Sequence, residues 1–342
     1  MKWFILLLPL SVVILLLPLL IVITFLGKGQ AANVDDPQAP LRVGIIGLDT
    51  SHAVEFTRIF NDAASADHVP GAKVIAAYKG GSPDVEASAS RVEGFTTQLR
   101  EKWGLEIVPD IPTLCSKVDA VLLLSVDGRK HLEQVKPVFA ARKRVFIDKP
   151  LAASLADARA IARLGAESGV PWFSCSSLRY QAAIQSLKQD SALGAVVGCD
   201  VYSPAPTEPH HPDLFWYGIH GVEILFTLMG PGCESVVRVN TPGTDVVIGK
   251  WKGGRLGTFR GIRDGKADYG AIVFGHDGIK MSDPIEGPPY AGMLREVVKF
   301  FQTGVPPLRV EEMMEIMAFM QAAELSKHKG GSDVPLSELA GR

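Results

Sequence analysis

Residues 144–150 read Arg-Val-Phe-Ile-Asp-Lys-Pro. A short apolar run ends in an acid, a lysine and a proline. Val145, Phe146 and Ile147 are β-branched or aromatic, which suits a strand buried on both faces of a parallel sheet. Pro150 has no N–H for the ladder, so the strand stops before it. Lys149 then stands at the carboxyl end of a strand, where open α/β sheets bind ligands. A lysine there can hold a bound molecule or take part in proton transfer.

Outward from this strand the chain alternates between two periods. Strand patterns occupy 43–48, 73–78, 106–108 and 119–124 before it and 170–174 after it. Helical patterns occupy 51–64, 91–103, 129–141 and 155–168, the last with Gly169 as its stop signal. This βαβ alternation predicts a doubly wound, Rossmann-like parallel sheet over 41–177. After about Ser177 the texture changes. A helix at 180–189 and a strand at 198–202 lead into a polar loop rich in Pro and His, then a helix at 219–229. Strands at 235–240, 245–251, 256–261, 269–274 and 278–281 follow closely, with Gly253-Gly254 and Asp277-Gly278 as turns. Such spacing predicts a mostly antiparallel open sheet in a second α/β domain, 178–330, completed by helices at 291–302 and 311–328. Residues 331–342 read as a tail.

Composition agrees with two globular domains plus an apolar end. The chain has 342 residues, 47% hydrophobic and 21% charged, with a formal net charge of -2. No long basic run is present, which argues against nucleic acid as a partner. The four cysteines, Cys115, Cys175, Cys199 and Cys233, are too dispersed for a zinc motif or a disulfide framework. From Trp3 to Gly27 no residue is charged, and Lys2 and Lys28 flank the run. As a helix at about 1.5 Å per residue it would exceed a hydrocarbon core of about 30 Å. It is longer than the apolar core of an ordinary signal peptide, so 1–27 reads as an uncleaved membrane anchor. Gly29-Gln30-Ala31 leaves the cleaved reading open. Residues 28–40 read as a flexible tether. An export-type segment of this kind predicts a globular domain outside the cytoplasm. A twin-arginine pair is missing from it.

Five segments, in order, carry a resemblance. They are Val43-Gly44-Ile45-Ile46-Gly47, Val118-Asp119-Ala120-Val121, Asp148-Lys149-Pro150, Leu178-Arg179-Tyr180 and Gly218-Ile219-His220 with Glu223 three residues on. Together they resemble the glucose–fructose oxidoreductase, inositol dehydrogenase and MocA family, over nearly all of 41–328. The resemblance implies an oxidoreductase that moves a hydride between NAD or NADP and a hydroxyl carbon of a sugar, polyol or related compound. It places Lys149 and His220 at the reacting centre. His220 would accept the hydroxyl proton, and Lys149 would stabilise the alkoxide. The expected cofactor contacts are Gly44, Gly47, Asp49, Ser51, His52, Lys79, Ser82, Ser125 and Lys149. The expected substrate contacts are Arg179, Tyr180, His211, Trp216 and Tyr217. Many relatives assemble through the open sheet of the second domain, so a homo-oligomer is expected here.

Three places depart from the family pattern. The Gly-x-Gly-x-x-Gly fingerprint has Asp49 and His52 at its second and third glycine positions. Either Asp49 turns away from the phosphates as a capping residue, or dinucleotide binding is altered or lost. Thr50 and Ser51 can cap the next helix, whose N-terminus favours an anion. At the end of the second strand, Lys79 and Ser82 replace the usual ribose-binding acid and suit a 2′-phosphate, which favours NADP. Trp216 stands four residues before His220, where the family often has an Asp. His210, His211, Asp213, His220 and Glu223 match no standard metal spacing, so no metal is expected. Two further readings remain: a nicotinamide-assisted glycoside-cleaving or isomerising enzyme, and a membrane-tethered binding module without cofactor.

Overall fold

Six parallel strands build the first sheet: β1 (Leu41–Ile46), β2 (Ala72–Tyr78), β3 (Glu106–Val108), β4 (Ala120–Leu123), β5 (Arg144–Asp148) and β6 (Trp172–Cys175). Their order is β3-β2-β1-β4-β5-β6. The connections carry α1 (Ser51–Asn61), α2 (Glu86–Ala89), α3 (Val92–Trp103), α4 (Ile111–Lys117), α5 (His131–Ala140) and α6 (Leu155–Ser168). Side chains on both faces of the central strands are shielded: Val43, Ile45, Val121, Leu122, Val145, Phe146 and Ile147 all have 0% exposure. Apolar groups alternate to either side of each strand, so the sheet needs helices on both faces. The strand order reverses between β1 and β4. A crevice opens there at the carboxyl edge, where doubly wound sheets bind ligands.

In this computed structural model the described residues are 1, 39–285 and 290–339. The expected apolar anchor at 3–27 and most of the tether lie outside them. Among the described residues no helix is long and apolar enough to cross a membrane.

Local signals explain where elements begin and end. Thr50 caps α1, its side chain accepting from His52 N at 3.3 Å. Ser154 caps α6 by accepting from Asp157 N at 3.0 Å, and Gly169 ends that helix in the left-handed region. With both caps explicit in the sequence, α6 falls where the pattern predicts. Two short helices were not anticipated. At four residues α2 is too short for periodicity, and α4 carries Pro112 in its first turn.

The second sheet has the order β12-β11-β7-β10-β9-β8-β13. Its strands are β7 (Val196–Pro204), β8 (Cys233–Thr241), β9 (Thr244–Trp251), β10 (Arg255–Ile262), β11 (Gly270–Gly275), β12 (Ile279–Met281) and β13 (Val334–Pro335). All pairs are antiparallel except β7 with β10. Helices α7 (Ala182–Gln189), α8 (Ile219–Met229), α9 (Tyr290–Thr303) and α10 (Val310–His328) complete the chain. Every residue of α8 is buried, as expected of a helix apolar all round. It packs on β7 and β10 on one side and α10 on another. Gly221 sets its depth, because a Cβ there would meet Phe259 Cε2 at 2.2 Å. The low seat of α8 fixes the height of His220, the residue before. A π-helical turn, Leu214–Gly218, leads into α8. The sequence gives no warning of this turn, and 202–217 reads only as a loop.

Gly221→Ala should force α8 off the sheet and cost about 1–3 kcal/mol of stability, the usual range for an overpacked core. Urea unfolding monitored by circular dichroism measures it, and an unchanged midpoint would contradict the close approach.

Candidate active site

A cavity of about 600 Å³ opens at the carboxyl edge of the parallel sheet. The parallel-sheet part contributes Thr50, Ser51 and His52 from the cap and start of α1, Ala87 from α2, Arg91 from just before α3, Val126 from the loop after β4, and Lys149. The rest of the chain contributes Trp216 and Tyr217 from the π-helical turn, His220 from α8, Asp268, Tyr269 and Tyr290. Lys149 and His220 therefore face one shared space. The Lys149–Pro150 peptide bond is cis.

Two imidazoles in this cavity have contrasting partners. His52 Nδ1 lies 2.5 Å from Asp148 Oδ2, with both side chains buried. The His52 ring stacks on Phe56 at 5.0 Å and meets Tyr290 edge-on at 4.9 Å, which fixes its plane. Burial alone would raise the Asp148 carboxyl. The His52 contact and the Lys149 charge outweigh burial and hold it below the ordinary carboxylate range. His220 Nδ1 lies 2.7 Å from Ser176 Oγ. Burial pushes the His220 imidazole well below its ordinary value, and the Lys149 charge pushes the same way. It is neutral at pH 7. Tyr217 packs edge-on against it at 4.8 Å, and Tyr269 Oη donates to Tyr217 Oη at 3.1 Å. Burial raises the Tyr290 phenol to about 12, so it keeps its proton.

The remaining residues of the expected set lie elsewhere. Gly44 is within β1 and packs on Leu114. Gly47 has φ +91°, and a Cβ there would meet Ser125 N at 2.4 Å, so the loop after β4 rests on the turn. Asp49 is fully buried: Oδ1 accepts from Val126 N at 3.1 Å and Oδ2 from Ser88 Oγ at 2.6 Å. Asp49 is therefore not the helix cap, a role that falls to Thr50. Lys79 pairs with Glu93 at 2.7 Å on the surface. Ser82 Oγ donates to the buried Asp127 Oδ2 at 2.7 Å. The two groups that suited a 2′-phosphate are thus committed to the protein. Ser125 is buried, its Oγ unpartnered.

Arg179, Tyr180 and His211 do not line the cavity. Arg179 is buried and bridges Glu223 and Glu312, each at 2.9 Å. Its charge is neutralised inside the second domain, so it has none to offer a substrate. Tyr180 packs against the core, and burial raises its phenol. His211 Nδ1 lies 2.8 Å from Glu208 Oε2, and its Nε2 lies 3.1 Å from Asp127 Oδ1, off the axis of a good hydrogen bond. Among the described residues no cluster of His, Cys, Asp or Glu could hold a metal ion. The four cysteines are free and buried. Sequence reasoning missed the joining of His52 to Asp148, and also Ser176, Arg91, Tyr269 and Tyr290.

Residues 41–175 match the model of an oxidoreductase family with an NAD-binding Rossmann fold. This is the glucose–fructose oxidoreductase, inositol dehydrogenase and MocA family, and the match spans the parallel-sheet part of the chain. Solved structures extend the likeness over both domains. The myo-inositol dehydrogenase of Lactobacillus casei, in complex with NAD(H) and myo-inositol, is 18% identical with a TM-score of 0.69, covering 86% of this chain and 96% of that one. The scyllo-inositol dehydrogenase of the same organism is 15% identical at 0.70, covering 88% and 100%. An oxidoreductase from Agrobacterium radiobacter, in complex with NAD+, L-tartaric acid and magnesium, is 16% identical at 0.69, covering 87% and 99%. At these identities the likeness is one of fold. No curated protein matches the chain.

The two halves of such a dinucleotide meet different surroundings. The nicotinamide end fits: the start of α1 offers Thr50 and Ser51, and Lys149 stands at the end of β5. The adenosine end is filled by the protein. No residue between 78 and 86 lines the cavity. Instead Asp49, Ser82, Ser88 and Asp127, all at 2% exposure or less, join the loops after β1, β2 and β4 across that end of the crevice. Seating a whole dinucleotide requires these bonds to open.

Two outcomes are expected. Ser82→Ala combined with Ser88→Ala removes two closing bonds, each worth about 1 kcal/mol, so NAD should bind about 30-fold more tightly by calorimetry. Arg179→Ala should cost about 3–5 kcal/mol of stability through the orphaned glutamates, measured by chemical unfolding.

Proposed function

We propose that the chain is an NAD(P)-dependent oxidoreductase acting on a hydroxyl carbon of a sugar, polyol or related compound. One observation carries this reading: Lys149, His220 and His52 line the same cavity at the carboxyl edge of the sheet. Bound nicotinamide would supply the hydride acceptor or donor. The chain's own residues do the rest. The Lys149 ammonium stabilises negative charge on the substrate oxygen. Neutral His220, held by Ser176, positions the hydroxyl by hydrogen bonding. Trp216, Tyr217, Tyr269 and Tyr290 offer ring faces and hydroxyls, a combination suited to a carbohydrate-like ring. The neighbours solved with myo-inositol or tartaric acid support a small polyhydroxylated substrate.

The uncharged stretch from Trp3 to Gly27 supports a membrane tether with the catalytic domain outside the cytoplasm. The apolar side chains of Val197, Val239, Leu256, Ile279 and Met281, all exposed on strands of the second sheet, support a homo-oligomer. The filled adenosine end favours a second reading, a tethered ligand-binding domain without cofactor.

Purified 39–342 protein, denatured and assayed by mass spectrometry for released nucleotides, separates the two. Near-stoichiometric NAD(H) or NADP(H) is expected. No bound nucleotide, and no binding at millimolar NAD or NADP, would move the assignment to the binding domain. In a protein that carries nucleotide, Lys149→Met should lower turnover by about 10²–10³-fold, the scale of losing one stabilising group.

A further inference from the structure

We infer that His52 is the proton-accepting base of this site, and that Asp148 orients it. This rests on the oxidoreductase reading above for the identity of the reaction, but the pair itself is a property of the protein.

His52 occupies the third glycine position of the fingerprint, where a side chain is unexpected. Here it reaches across the crevice from α1 to the end of β5, 96 residues further along the chain. With Asp148 a carboxylate, the 2.5 Å contact places the His52 proton on Nδ1. Nε2 then carries the lone pair. It has no hydrogen-bond partner among the described residues, and His52 lines the cavity. An imidazole held by a buried acid at one nitrogen and open at the other is the arrangement that makes histidine a general base.

His220 lacks this arrangement. Its Nδ1 partner is the Ser176 hydroxyl, which cannot balance an imidazolium. The position four residues before it, where an acid would help, holds Trp216. His220 is also buried beside the Lys149 ammonium. Acid–base power therefore sits on the first domain, in the Asp-Thr-Ser-His turn and the Asp of Asp-Lys-Pro. Groups facing His52 are Asp148 and Lys149 from the end of β5, His220 from α8 and Tyr290 from α9.

The step is a proton transfer. The substrate O–H bond breaks, an Nε2–H bond forms, and the electron pair stays on oxygen as an alkoxide beside the Lys149 ammonium. The resulting imidazolium is balanced by Asp148.

Nitrogen-15 NMR of the ligand-free 39–342 protein reads the pair without turnover. A neutral His52 with its proton on Nδ1, and a far-downfield proton that disappears in Asp148→Asn, is expected. A proton on Nε2 would overturn the proposal even if the protein turned over no substrate. Kinetics supply the second arm. His52→Gln should lower kcat by about 10²–10⁴-fold, with bound nucleotide unchanged. A His52→Gln variant that kept the wild-type kcat would sink it. Loss of nucleotide from the wild type would instead count against the oxidoreductase reading. Should Asp148→Asn fail to fold, the tautomer of the wild type and the His52→Gln kcat still decide.

Discussion

A carboxylate removed from water must be met by charge or hydrogen bonds, and Asp148 imposes that demand on the rest of the site. It ends a strand whose side chains are shielded on both faces, so it has no route to solvent. His52 and Lys149 answer it, one by direct contact and one by proximity. Meeting the demand draws the start of α1 toward the end of β5 and fixes the ring of His52. Phe56, stacked on that ring, and Tyr290, edge-on to it, then have a single plane to complement. Much of the cavity's shape follows from keeping one buried charge in company.

The same constraint explains why a fingerprint without its glycines still folds. A glycine at the second position normally lets a phosphate approach the backbone. Asp49 puts a carboxylate there and satisfies it internally, with Val126 N and Ser88 Oγ. Only the first glycine keeps its reason, because the loop after β4 lies against Gly47. The fold needs the turn, whereas the cofactor needs the space above it. In this chain those two requirements have come apart.

Much of this was legible in the sequence. Strands with continuous apolar runs and helices with explicit caps stood where their residues say, α6 most clearly. Lys149 and His220 were legible too, since each sits at a topologically marked place. His52 was harder, because the fingerprint template casts it as a misplaced glycine and its partner is remote in sequence. Arg179 was misread for the opposite reason. A cation beside a motif looks available until Glu312, far along the chain, is found to neutralise it. Ser82 and Lys79 illustrate the same limit: residue type shows what a group can bind, and only packing shows whether it is already bound.

His211 belongs to the second domain, yet it closes against Asp127 of the first. The contact lies at the crevice end that Ser82 also seals. A ligand that entered there would have to part Asp127 from His211, and so would loosen the joint that the pair makes. Occupancy of the crevice and closure of that joint are then two readings of one equilibrium. By thermodynamic reciprocity, whatever opens the joint also eases entry.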